Sequence, residues 1–418
     1  MVENITNPVK RKNFLKNLLL FLAILGPGIV TGSVDNDVGG ITTYSVAGAI
    51  FGYKLIWTLI PAFVVLFVTQ EMNARMGIVT GKGLADLIRE NMGVKVTFFI
   101  FIFLLGADIL NTMTEFSGVA GSMAIFHISK YISVPLVAIG VWIMVVKGTY
   151  RMAERIFIFF SLCLLIYIFA ALMGHPDWSE VGRSIVKPDI ETNFLYISTV
   201  IGLIGTTIAP WMQFYMQSAV IEKHLQIKDL KFCTIDVLVG CICTIVVAFF
   251  IIIACASTLH LTGTKINDAS DAAAALAPVA GALASEVFAF GLFIASIFAS
   301  VILPVATAFY VCEAFGFEAG IDKKWNEAPQ FYWLYTVIIA ISAGIILLPN
   351  APLIQISLWS QRINGILLPV VLICMLIIIN KKEVMGKYVN KFLSNAISWV
   401  TVVILFGLSA SLLISVFQ

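Results

Sequence analysis

Eleven times along 418 residues the chain returns to an apolar run about as long as a bilayer is thick. A membrane helix needs roughly 20 apolar residues to cross a hydrocarbon core of ~30 Å. The runs centre on residues 15–48, 54–75, 95–126, 132–147, 153–173, 193–221, 232–258, 283–312, 330–348, 353–379 and 393–416. In lipid every backbone N–H and C=O must be satisfied inside the segment itself, so only helices or closed barrels can span. Runs this long, without period-two alternation, are helices. The expectation is an all-α integral membrane protein, with a tail over 1–13 and one membrane domain over 14–418.

Composition supports this: 60% of residues are hydrophobic and 12% charged, against about 25% charged in a soluble domain. The net charge of +2 identifies no partner, and no basic face outside the loops offers itself to nucleic acid. The seven cysteines, Cys163, Cys233, Cys241, Cys243, Cys255, Cys312 and Cys374, all fall in apolar runs and read as small hydrophobes rather than a disulfide framework.

The start, "VKRKNFLKNLLLFLAILGPG", is basic and then apolar like a signal peptide, but it lacks a small-residue cleavage site and runs on into the next segment. It reads as a cytoplasmic tail and first span. With that tail inside, the inner loops hold 20 of the 26 Lys and Arg residues, the outer loops five, and Arg362 lies within a span. By the positive-inside rule the N-terminus is cytoplasmic and the C-terminus outside, in the cytoplasmic membrane.

Two spans do not read as continuous. The first carries "GPGIVTGSVDNDVGG", with Asp35 and Asp37 at membrane depth and Gly39-Gly40 behind them. The sixth carries "GLIGTTIAPW", where Pro210 lacks a backbone donor and suits the first turn of a new half-helix. Paired interruptions at corresponding places in two five-helix halves mark the binding site of many transporters. Unwound backbone leaves carbonyls free, here from Thr206 onward, and a half-helix C-terminus carries partial negative charge. With Asp35 and Asp37 added, the first break is a cation site in physical terms. Either acid could instead be structural: Asp37 in a salt bridge, Asp35 as a cap or in a vestibule.

The third span sets Asp108, Asn111, Thr112 and Glu115 on one helical face, which either lines an aqueous path or pairs with another helix. The tenth sets Gln361, Arg362 and Asn364 deep in the membrane. Gln361 could supply an oxygen ligand, and Arg362 is the obvious partner for a buried acid such as Glu115. The histidines, His127, His175, His224 and His260, fall in loops or helix ends. The sequence has no Walker-type loop for ATP and no nucleophile–base constellation, so neither ATP-driven transport nor an enzyme is expected.

At these residues the sequence resembles the NRAMP family of divalent-metal transporters. "QEMNARMGIVTGKGLADLIRE" (70–90) follows the family's segment after its second helix, and "TEFSG" (114–118) follows its third-helix acid motif. The first-helix segment falls on a family signature ending Asp-Pro-Gly-Asn, and "GTTIAPWMQFYMQSA" on one containing Met-Pro-His. The resemblance implies a LeuT-type fold: an inverted 5+5 repeat (about 14–173 and 193–379) with helices 1 and 6 broken, and helix 11 over about 393–416. It places Asp37 as the metal-binding aspartate, with Val34 and Thr206 where backbone carbonyls contact metal. Gln361 matches a polar residue of helix 10. Gly40 stands in for an asparagine ligand and Ala209 for a methionine. Trp211 and Gln217 replace two histidines, and Thr112 an acid tied to proton movement, while Glu115 is kept.

These changes resemble the NRAMP-related magnesium transporters. Loss of a thioether removes the donor that favours Mn²⁺ or Fe²⁺. A roomier site with one or two carboxylates suits Mg²⁺, which keeps several waters. The expectation is a secondary transporter of Mg²⁺, and also of Mn²⁺, working by alternating access without proton coupling. Its substrate is the metal ion and its surroundings the lipid bilayer; no cofactor, nucleic acid or ATP is expected, and a monomer is compatible with every feature. The alternatives are a proton-coupled Mn²⁺/Fe²⁺ transporter, an organic-solute symporter on the same fold, and a transport-inactive sensor.

Overall fold

The first expected span is interrupted at its acids, Asp35 and Asp37, while Gly39 and Gly40 lie in the first turn of the helix that follows. In the computed structural model, which describes residues 26–148, 150–191, 193–266, 269–349 and 353–416, helix α1 (Pro27–Val34) opens with proline in its first turn. A missing N–H costs nothing there, because the first donors of a helix have no partner in any case. Helix α2 (Val38–Phe51) restarts with Asp37 as its N-cap. Gly52, at φ +58°, turns the chain out of α2 in a left-handed conformation that glycine adopts readily. A 3-10 segment, Gly52–Thr58, then leads into α3 (Leu59–Thr80). Residues Val38–Thr80 make 43 helical residues. At 1.5 Å each that is about 65 Å, twice the hydrocarbon core, so the turn at Gly52 separates two crossings. The tail over 1–13 lies outside the described residues.

The rest of the first half is α4 (Leu84–Met92), α5 (Val94–Ile125), α6 (Lys130–Lys147), the fifth span in two pieces, α7 (Tyr150–Cys163) and α8 (Ile166–Met173), and the short α9 (Trp178–Val186). The second half opens on another broken span, α10 (Phe194–Thr207) and α11 (Pro210–Glu222), with Pro210 at the first helical position. It continues through α12 (Leu230–Cys255), which ends in a π turn at Ala256–His260, α13 (Ala269–Ala280), α14 (Ala282–Phe315), α15 (Pro329–Leu347) and α16 (Leu353–Ile379). Beyond it lie the single turn α17 (Lys382–Met385) and α18 (Phe392–Val416). Each of the eleven expected segments thus carries helix. Among the described residues eight helices are long and apolar enough to cross a membrane, and nine if the bent pair Ile363–Ile379 and Lys382–Tyr388 is one span.

The core forms where α5 and α14 lie together and where α12 is wrapped by α1, α2 and α3. Phe101, Phe214 and Tyr310 interlock there, with ring centroids 5.1–5.3 Å apart. Around it, Phe99, Phe103, Ile139, Val403 and Phe406 point outward as an apolar belt. In water such a belt would be a liability, and in lipid it is the required surface. The seven cysteines are unpaired, as expected.

Three histidines, His127, His175 and His224, hold φ of 58°, 48° and 55° just past helix ends, the place usually given to glycine. Ile128 and Leu225 close the turns around two of them by donating to Met123 and Val220 carbonyls. These histidines terminate helices rather than line the interior.

Candidate metal centre

The two breaks face each other. Tyr44 on α2 and Thr207 at the end of α10 share a hydroxyl–hydroxyl bond of 2.9 Å. Gln361 on α16 joins the pair: Thr206 Oγ1 lies 3.5 Å from its Oε1, and its amide packs so closely on Gly39 that a Cβ there would strike it. The same absent Cβ would lie 3.3 Å from Asp37 Oδ1. Asp37, Gly39, Gly40, Thr206 and Gln361 are therefore brought together. Val34 and Thr206 each sit in the last turn of a half-helix, whose four final carbonyls have no partner within the helix.

Asp37 does two things at once. Its Oδ1 accepts from Gly40 N–H at 2.7 Å, capping α2. A carboxylate offers about four lone-pair positions, so most of its acceptor capacity remains for an ion. Gly40 cannot simply be replaced, because a Cβ there would lie 2.7 Å from the Asp35 carbonyl. Ala209 is the extended N-cap of α11, and its carbonyl accepts from Gln213 Nε2 at 3.2 Å. It brings only a methyl to the junction.

Glu115 adjoins the same place from α5, accepting from the Val38 N–H at 3.3 Å. Two acids thus meet the positive end of α2, which favours negative charge. The expected partner Arg362 lies on α16, but its side chain is outside the described residues. The remainder of the third-span stripe turns elsewhere. Asp108 Oδ2 accepts from Tyr310 and Thr307 on α14 at 2.9 and 3.1 Å, and its Oδ1 from Asn111 at 2.9 Å. Asn111 also pairs with Asn364 and Ser360 on α16. Thr112 Oγ1 donates to the Asp108 carbonyl at 2.8 Å. Of the two readings left open for this stripe, pairing between helices is what the structure holds.

Gln217 is also away from the break. Its Nε2 donates to the Lys82 carbonyl at 2.7 Å, beside a cavity of about 340 Å³ lined by Lys82, Asp86, Ser218, Glu222 and Glu313. Trp211 is buried against Tyr215.

One anchor of the broken helix escaped the sequence reading. Asp236, in the second turn of α12, accepts from the N–H groups of Gly26, Gly28 and Ile29 at 3.0, 2.6 and 3.4 Å, and so caps α1 from a neighbouring helix. Further along, Thr244 donates to the Gly32 carbonyl, and Asn36 Nδ2 donates to the Thr244 carbonyl at 3.3 Å. Gly28 lets the two backbones touch, since a Cβ there would lie 2.5 Å from Val237 N. An acid inside an apolar run, next to nothing else polar, was the available signal.

Among the described residues no group of three or more His, Cys, Asp or Glu side chains is gathered as a metal cluster. A cation at the breaks would therefore be held by few carboxylates, with neutral oxygens completing the set.

Comparison with known proteins identifies the family and the fold. The family model described as Nramp, natural resistance-associated macrophage protein-like, matches residues 28–415. The divalent metal cation transporter MntH of Burkholderia ambifaria is 23% identical over 410 residues, 95% of this chain and 90% of that protein. MntH of Deinococcus radiodurans is 25% identical over 411 residues, 94% of this chain and 89% of that one. A crystal structure of the Eremococcus coleocola manganese transporter superposes with a TM-score of 0.76 at 20% identity, covering 93% of this chain and 85% of that chain. Mhp1, a nucleobase-cation-symport-1 family transporter, gives 0.56 at 10% identity over 84% and 77% of the two chains. The structural likenesses show the LeuT-type fold. With nearly the whole chain matched by the family model, this protein belongs to the Nramp family.

Proposed function

We propose that this chain carries divalent metal cations across the cytoplasmic membrane by alternating access, with Mg²⁺ the principal substrate, Mn²⁺ also accepted, and no proton carried along. The relatives named as divalent metal cation transporters and the manganese transporter support the general activity. One observation carries the preference for Mg²⁺. At the junction of the two breaks the oxygens come from Asp37, Thr206 and the carbonyls ending α1 and α10, with Gln361 Oε1 beside Thr206 and its Nε2 against Gly39, while Ala209 brings no sulfur. Hard oxygen donors in small number suit a partly hydrated Mg²⁺, and a thioether would favour softer ions. The sulfur of Met216 is engaged lower down, 3.6 Å from Thr31 Oγ1.

Absence of proton coupling is supported by the placement of the titratable groups. Asp108 is held among α14 side chains and Thr112 is turned to its own helix. Three histidines end helices, and His260 rests against the Ala49 carbonyl at the end of α12. A second reading, proton-coupled Mn²⁺ transport, draws on Glu115, whose carboxylate lies against Val38, next to Asp37. The basic residues support a cytoplasmic N-terminus and an outer C-terminus, since 20 of 26 then lie inside.

The test is uptake of Mg²⁺, Mn²⁺ and Ca²⁺ by purified protein in liposomes, set beside Asp37→Ala. The proposal expects Mg²⁺ and Mn²⁺ to enter through the wild type alone. Uptake of Mn²⁺ with no uptake of Mg²⁺ would return the chain to the manganese reading, and no metal flux at all would favour a sensor or a solute symporter.

A further inference from the structure

Two residues before Asp37, the chain buries a carboxylate without a hydrogen-bond partner. Asp35 is 2% exposed, and neither of its oxygens has a hydrogen-bond partner. Asn36 Oδ1 and Ser33 Oγ, on residues 1% and 2% exposed, are likewise buried without partners. A buried acceptor left unmatched costs free energy, and a buried charge costs far more, so native structures rarely leave three together.

Their position in the fold has a sign. Ser33, Asp35 and Asn36 cluster at the C-terminal end of α1, the negative end of its dipole, where cations are favoured. Asp37 stands at the opposite kind of terminus, the positive N-terminal end of α2, with one oxygen already used by Gly40. The two aspartates also face different neighbours. Asn36, next to Asp35, reaches the Thr244 carbonyl on α12. Asp37 lies on the side of Gln361.

We propose that Asp35, Asn36 Oδ1 and Ser33 Oγ form a second position for a hard cation, adjacent to Asp37 but separate from it. Every donor is oxygen, and one is charged, so the ligand class is Mg²⁺ or Na⁺ rather than a soft metal. A Mg²⁺ ion there would be a second stop for the substrate, and a Na⁺ ion a companion to it. The inference rests on reading the break as a cation-binding region, but it makes its own demand on Asp35.

The experiment is calorimetric titration of the full chain in detergent with MgCl₂ and, separately, NaCl, for the wild type, Asp35→Asn, Asp37→Asn and the double variant. Asp35→Asn is nearly isosteric, and an unchanged size-exclusion profile confirms its fold. The proposal expects Asp37→Asn to retain one cation-binding event that Asp35→Asn lacks. Removing Asp35 should weaken that event by roughly tenfold or more, and the double variant should show none. Retention of Mg²⁺ by Asp37→Asn identifies the second substrate position, and retention of Na⁺ alone identifies the companion site. If Asp35→Asn matches the wild type in both titrations, Asp35 is a neutral buried acid and the proposal is overturned. Wild-type uptake by Asp37→Asn would count against the Asp37 assignment only, so the two readings fail separately.

Discussion

At residue scale, Asp37 both caps α2 and faces the Thr206–Gln361 pair, so its removal should be felt twice. Asp37→Ala is expected to reduce metal uptake to the level of protein-free vesicles, while the lost cap costs about 1 kcal/mol and leaves a folded protein. A folded variant with wild-type flux would contradict the assignment. Ala209→Met should raise affinity for Cd²⁺ and Mn²⁺ relative to Mg²⁺, by about tenfold for the softer Cd²⁺, as read by competition binding. Adding Gly40→Asn brings a further demand, because its Cβ would press on the Asp35 carbonyl. The double variant should therefore melt at a lower temperature, with the selectivity shift carried by the methionine. An unchanged preference in folded Ala209→Met would place selectivity elsewhere. These sites were legible because charge among glycines in an apolar run has few structural uses. The partner of Glu115 was not, since a backbone N–H of a restarted helix leaves no mark in the sequence.

At the scale of elements, α1 is fixed to α12 by Asp236 at its start, Thr244 at Gly32 and Asn36 past its end. Asp236→Ala would orphan three backbone donors and should cost about 2 kcal/mol or more. Thermal melting in detergent should show the loss, with Asp236→Asn falling between, because its amide oxygen can still accept. Equal melting temperatures would mean that α1 needs no such anchor. The connection before α10 is held more lightly: Lys54 pairs with Glu191 at 2.6 Å and Asp189 at 3.1 Å on an exposed surface. The Lys54 contact, then Asn193, holds the Glu191 carboxyl below its ordinary 4.5. Because the folded value is depressed, this contact is intact above that ordinary value and is lost only as pH falls through the lower folded one. Hydrogen exchange across 187–191 should then be the same at pH 8 and pH 6 after correction for intrinsic rates; a rise in that range would contradict the assignment. The interrupted spans could be read from Asp35 and Asp37 in the first and Pro210 in the sixth. Helix α9 was hidden inside a connection taken as polar, although Asp177, capping at Ser179 and Glu180, gave a start signal.

Across the whole molecule, segment length and paired breaks fixed the architecture in advance, because the bilayer permits so few solutions. What joins the segments was less visible, since Asp108, Asn111 and Asn364 could equally have lined water until their partners on α14 and α16 were placed. The account gives transport one driving force, the metal gradient with the membrane voltage. A divalent ion moving across 100 mV gains roughly 4–5 kcal/mol, enough without protons. The most direct measurement loads liposomes containing the protein with a Mg²⁺ indicator and a pH indicator together. An inward Mg²⁺ gradient is then applied under a potassium-diffusion potential, negative inside. The account predicts that internal Mg²⁺ rises, faster at the more negative voltage, while internal pH stays with that of protein-free vesicles. Acidification that appears only with protein and only with metal would contradict it.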